Sequence, residues 1–193
     1  MDKTIIIVIA GALVAVAAIV AAFWMFLRKQ QTSRLQSRFG PEYDRLAAAE
    51  GDRGRIEKTL QEREKRVEKL NLIPLSPEDR DRFAGAWQLE QAGFVDDPPS
   101  AVANADKLVT EVMKARGYPM GDFEQQAADI SVDHPRVITN YRIAHDIALR
   151  DSDGSTSTEE LRTAFVHYRM LFEDLLEVPV VEPQKGSATA AGA

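Results

Sequence analysis

The chain has 193 residues, 45% of them hydrophobic and 28% charged, which is too apolar to stay disordered throughout and long enough for one modest domain with accessory segments. It contains no cysteine, which excludes disulfides, thiolate metal sites and a cysteine nucleophile but leaves the compartment open. The net charge of −6 is unevenly spread: residues 28–38 carry four basic side chains and no acid, 39–70 carry eight of each sign, and 71–193 carry 11 basic against 21 acidic. So acidic a region repels phosphate backbones and anionic lipid heads, which argues against nucleic acid as a partner.

After a short flank at 1–4, the stretch from Ile5 to Leu27, IIIVIAGALVAVAAIVAAFWMFL, runs for 23 residues without a charge. As a helix it would be about 35 Å long, enough to cross a hydrocarbon core of about 30 Å. A cleaved signal peptide would have an apolar core of about 7 to 15 residues, a basic start and a small-residue cleavage site. Here the core is longer, the start MDKT is barely basic, and the bulky FWMFL precedes the basic flank. The stretch is therefore read as an uncleaved transmembrane helix whose partner is the lipid bilayer. Phe23, Trp24 and Phe26 sit where an aromatic belt meets the headgroups, just before Arg28 and Lys29. Arg28, Lys29, Arg34 and Arg38 outweigh Lys3 and the amino terminus, so the positive-inside rule favours the cytoplasmic over the extracytoplasmic face of a bacterial cell membrane for the soluble part. Gly11, Ala15, Ala18 and Ala22 share one helical face, a small-residue pattern that would let two spans pair as a homodimer; the alanines on every other face equally suit a plain span.

Residues 28–40 read as a basic juxtamembrane linker broken at Gly40-Pro41, and 41–72 as a charged stalk helix. In the stalk, Leu46, Ala49, Arg53, Ile56, Leu60, Arg63, Val67 and Leu70 alternate at four and three, as a coiled-coil seam would, although two arginines and Gly51 and Gly54 interrupt it. A solvated helix packing partly on its own domain is the other reading. Residues 73–177 show the broader apolar faces of an acidic helical bundle. Ser76 and Pro77 open a helix bearing Phe83, Trp87 and Phe94, and Asp97 opens one with Val102, Ala105, Val109, Val112 and Met113 that ends at Gly117. Asp122 with Gln125 opens a short helix interrupted at His134-Pro135, and a helix through Val137, Ile138, Tyr141, His145 and Ala148 follows. Leu161, Ala164, Phe165, Tyr168, Leu171, Phe172, Leu175 and Leu176 mark the last helix, and 178–193 read as a disordered tail. No segment alternates with period two between hairpin turns, so the fold class is all-α.

Chemistry is sparse. In RDSDGSTSTEEL, aligning Glu160 with the last position of an EF-hand loop places Leu149 where the first aspartate must stand, whereas Ser157 and Glu160 form an ordinary capping box. The three histidines lack the Glu-x-x-His spacing of a di-iron bundle. Tyr141 with His145, and Glu160 with His167, remain as polar candidates for an enzyme or ligand site; a hydrogen-bonded core role for the histidines is the plainer reading. No GxSxG, SxxK, P-loop, GxGxxG or HExxH occurs, so no catalytic, cofactor or metal residue is assigned and no cofactor is expected.

The segments FGPEYDR (39–45), FVDDPPSAV (94–102), RGYPMGDFEQQAADISVDHPRVITNYRIAH (116–145) and ELRTAFVHYRMLF (160–172) resemble a widespread family of uncharacterised bacterial proteins described only as membrane or secreted. The resemblance covers most of the soluble part and implies no activity, cofactor or catalytic residue; the "secreted" description runs against the cytoplasmic orientation. The expectation is a membrane-anchored interaction or scaffold protein with an unidentified protein partner. The alternatives are a bundle enzyme or ligand-binding domain built on the polar candidates, and a self-associating structural membrane protein.

Overall fold

The computed structural model describes residues 3–151 and 156–176, the side chains of residues 3–12 and 14 excepted. The side chain of Ile5, the 152–155 part of the turn before Glu160, and the tail at 178–193 lie outside what is described. Within the described residues all regular structure is helical: α1 (Lys3–Phe39), α2 (Pro41–Glu50), α3 (Arg53–Val67), α4 (Pro77–Gly93), α5 (Pro98–Ala115), α6 (Phe123–Asp133), α7 (Ile138–Asp151) and α8 (Thr158–Leu176). Among the described residues no helix is long and apolar enough to cross a membrane.

The chain divides into two compact units, residues 1–70 with 121–142, and 71–120 with 143–193. This departs from the expected division into a stalk at 41–72 and one bundle at 73–177, because the segment 121–142 joins the stalk. In sequence that segment looks like any other bundle helix; what assigns it is a set of long-range ion pairs with α2 and α3.

In the first unit the expected linker at 28–40 is corrected: α1 continues to Phe39, and Leu35 and Phe39, one turn apart, are both buried. Two apolar side chains spaced four apart on the polar last turns of α1 give that end a face to dock. The expected single stalk helix over 41–72 is likewise replaced by two. Gly51 takes a left-handed φ of 67°, closing α2 with its N–H on the Ala47 carbonyl, and Asp52 opens α3 by accepting from the N–H groups of Gly54 and Arg55. A seam running through 46–70 is thereby cut, leaving Ala49 and Arg53 exposed while Leu46, Ile56, Leu60 and Val67 are buried. Helix α6 adds Ala127, Ala128, Ile130 and Val132 to this core, and the start of α7 adds Ile138 and Tyr141.

In the second unit α5 packs between α4 and α8. Caps fall where the sequence places them: Ser76 Oγ accepts from Asp79 N at 3.0 Å and Asp97 Oδ1 from Ser100 N at 3.3 Å. The Ser157–Glu160 box closes in both directions, at 3.3 Å from Glu160 N to Ser157 Oγ and 3.0 Å from Ser157 N to Glu160 Oε2. Trp87 stacks on Phe172 with ring centroids 4.6 Å apart and lies 5.0 Å from Phe165, which in turn contacts Phe94 at 5.1 Å. After α5, Gly117 takes φ 91° directly against the Asn71 carbonyl, where any Cβ would stand 2.7 Å from the oxygen. The neighbouring Ile73 N–H donates to the Arg116 carbonyl at 3.0 Å, pinning residues 71–75 to the end of α5. Arg116 itself donates to the Leu175 carbonyl at 3.0 Å and so satisfies the end of α8.

Candidate functional site

The polar candidates lie on α7 and α8. Tyr141 is buried in the first unit with its ring 5.0 Å from that of Phe123, whereas His145, one turn further along α7, is half-buried and belongs to the second unit. Glu160 and His167 lie about two turns apart on α8. The Glu160 carboxylate is held by Ser157 N and Oγ and by Arg150 at 3.2 Å, and the two Ser157 bonds, backbone first, hold its carboxyl below the ordinary range. It is an ionised cap, not a proton shuttle. The Nδ1 of His167 is buried without a hydrogen-bond partner, and burial lowers its pKa, so the imidazole is neutral at pH 7. Among the described residues no group of three or more His, Asp or Glu could hold a metal ion.

A different cluster does converge, in the first unit. Glu42, from FGPEYDR, has a fully buried side chain. Its oxygens accept from Arg45 Nε and Nη2 at 2.9 and 2.8 Å, from Arg63 Nη1 at 2.7 Å and from Arg142 Nη2 at 3.4 Å. Arg63 also donates to Ser131 Oγ at 3.3 Å, which donates in turn to the Ala128 carbonyl at 2.7 Å. Arg142 pairs with Glu124 at 2.7 Å. One turn along α6, the buried Asp129 accepts from Arg66 Nε at 2.7 Å and from Gln125 Nε2 at 3.1 Å. Burial by itself would raise the Glu42 carboxyl, but the hydrogen bonds from Arg45 and Arg63 and the charge of Arg142 outweigh it and bring the pKa down to about 2. A carboxylate so committed neither gives nor takes a proton near neutrality. The network ties α6 and the start of α7 to α2 and α3 through hydrogen-bonded charge pairs.

Sequence reasoning missed this network because its members come from three separated segments. A signal was present in Arg63, which stands at a seam position where an apolar residue belongs and reads there as a flaw. The charged residues of two of the motifs that carry the family resemblance, Glu42 and Arg45 in one and Glu124, Asp129 and Arg142 in the other, are the residues that meet.

An exposed apolar stretch of α1 forms the other conspicuous feature. Leu13, Val16, Ile19, Val20, Phe23, Trp24, Met25, Phe26 and Leu27 are all exposed, and every described residue from 15 to 30 is exposed with them. The Arg28 guanidinium lies 3.6 Å from the centroid of the Trp24 ring, and the exposed Lys29 follows it. No family model matches the chain, and no curated protein and no solved structure matches it. The family resemblance therefore rests on its motifs alone, and nothing in these comparisons adds a substrate or ligand.

Proposed function

We propose that the chain is a single-span protein of a bacterial cell membrane, anchored through residues 5–27, whose helical units form a cytoplasmic interaction module and not a catalytic one. The observation that carries this reading is the sleeve of exposed apolar side chains from Leu13 to Leu27, which no other helix covers. Contiguous apolar surface of this extent is unusual on a protein surrounded by water and implies a partner. The 23-residue uncharged run in sequence, the aromatic belt and the basic flank at Arg28 and Lys29 make that partner a bilayer.

The interaction role is supported by a shallow surface in the second unit, where Phe94, Val95, Phe165 and Val166 lie between Arg162 and Arg169 in a depression of about 240 Å³. Val95 and Val166 are 84% and 49% exposed. Such a patch, apolar at its centre with cations at its rim, suits a protein segment carrying apolar and acidic side chains. Photocrosslinking in intact membranes from a probe at Val166 is expected to trap a reproducible protein that is lost on Val95→Glu. Crosslinks to lipid alone, or to a different protein in each repeat, would contradict the interaction role.

A further inference from the structure

Helix α2 carries the chain back along α1, and α3 then runs beside α1 in the same direction: Thr32 of α1 donates to Glu57 of α3 at 2.5 Å, and further along both helices Arg38 and Arg34 pair with Glu64 at 2.8 and 3.3 Å. This register sets the first turn of α3 level with the place where α1 leaves its apolar stretch, one turn before Thr32 on one side and one turn before Glu57 on the other. A groove of about 710 Å³ lies there, and its charged lining is Arg28 and Lys29 from α1 and Arg53, Glu57 and Lys58 from α3. Four cations thus face a single anion, and Glu57 is already engaged by Thr32. The hydroxyls of Thr32 and Ser33 line the same space.

We infer that this groove binds the phosphate headgroup of an anionic phospholipid at the cytoplasmic surface. The inference rests on the membrane anchor proposed above, which puts residue 28 at headgroup depth. Basic residues just inside a span attract anionic lipid, but on α1 alone they would form a one-sided patch. Here the return of α3 adds Arg53 and Lys58 from a second helix, giving two walls that a phosphate can enter between. The exposed N–H groups of the first turn are not the device, because Asp52 accepts from Gly54 and Arg55; the side chains are. The apparent conflict with the acidity of the chain resolves by unit: residues 1–70 with 121–142 hold 15 basic and 13 acidic side chains, whereas 71–120 with 143–193 hold 9 and 17.

The test uses the full chain reconstituted into vesicles of phosphatidylcholine with and without phosphatidylglycerol, followed by flotation and amide hydrogen exchange. The chain is expected to float with both compositions, and exchange over 53–58 to slow by about fivefold when phosphatidylglycerol is present. The exposed pair Arg53→Gln with Lys58→Gln should float equally well and lose that difference. Equal exchange in the two compositions, with normal flotation, overturns the headgroup site while leaving the anchor standing. Inorganic phosphate giving the same protection on phosphatidylcholine vesicles would make the ligand a soluble anion and overturn the lipid assignment. Failure to float with either composition removes the anchor and the headgroup site together.

Discussion

Inside the first unit lie Glu42, Arg63, Glu64, Asp129, Ser131, His134 and Arg142; among the described residues the fully buried side chains of the second unit are aliphatic or aromatic, with Trp87, Phe165, Tyr168 and Phe172 beside the aliphatic faces of α5 and α8. The outsides are reversed, since the second unit carries the net negative charge of the chain and the first is slightly positive. Burial of apolar area is non-directional and tolerates exchange of one hydrophobe for another of like volume. Buried guanidinium and carboxylate groups demand particular partners and are costly when one is removed. The two units therefore solve the same problem, burying helix faces, with opposite sensitivities to substitution.

The largest effect that follows is at Glu42. Glu42→Leu removes the carboxylate that pairs the buried Arg63, while Arg142 keeps Glu124, and a loss of about 3–5 kcal/mol is expected, read as faster amide exchange across α3 and α6. A loss under about 1 kcal/mol would break the comparison, because the network would then be dispensable. The same carboxyl gives the first unit an acid limit. Its folded pKa of about 2 lies below the ordinary 4.5, so the stability it contributes is complete above pH 4.5 and is lost as the pH falls from there toward 2. In an acid titration followed by exchange in α2 and α6, Glu42→Gln should remove that part of the slope.

Within the second unit the most sensitive position is backbone and not side chain. Gly117→Ala adds a strained left-handed residue and a clash with the Asn71 carbonyl, with an expected cost of about 2–3 kcal/mol by denaturant unfolding. Its core is more forgiving: Leu171→Met, fully buried, should cost less than about 1.5 kcal/mol, and a larger loss would mean that this interior is as exacting as the first. Smallest is the capping box, where Ser157→Ala should cost about 1 kcal/mol and fray the start of α8.

Much of the second unit could be read from sequence because its signals are local. Ser76, Asp97, Asp122 and the Ser157–Glu160 pair each announce a helix start within four residues, Gly117 its end, and the three-and-four spacing of α8 its buried face. The first unit was harder for a physical reason. The Glu-Gly-Asp-Arg-Gly run at 50–54 holds a left-handed cap and an N-cap side by side, yet the seam continues across it in register and hides the break. Leu35 and Phe39 sit in a polar run that reads as linker, and the association of 121–142 with α2 and α3 depends on contacts such as Arg142 to Glu42, a hundred residues apart, which no local pattern encodes.

Everything functional in this account depends on residues 5–27 lying in lipid. Alkaline carbonate extraction of membranes from cells expressing the full chain tests this most directly: the account predicts that the chain stays in the pellet and is released only by detergent, and that Ile19→Asp with Val20→Asp moves it to the supernatant. Full release of the unaltered chain by carbonate would contradict the anchor.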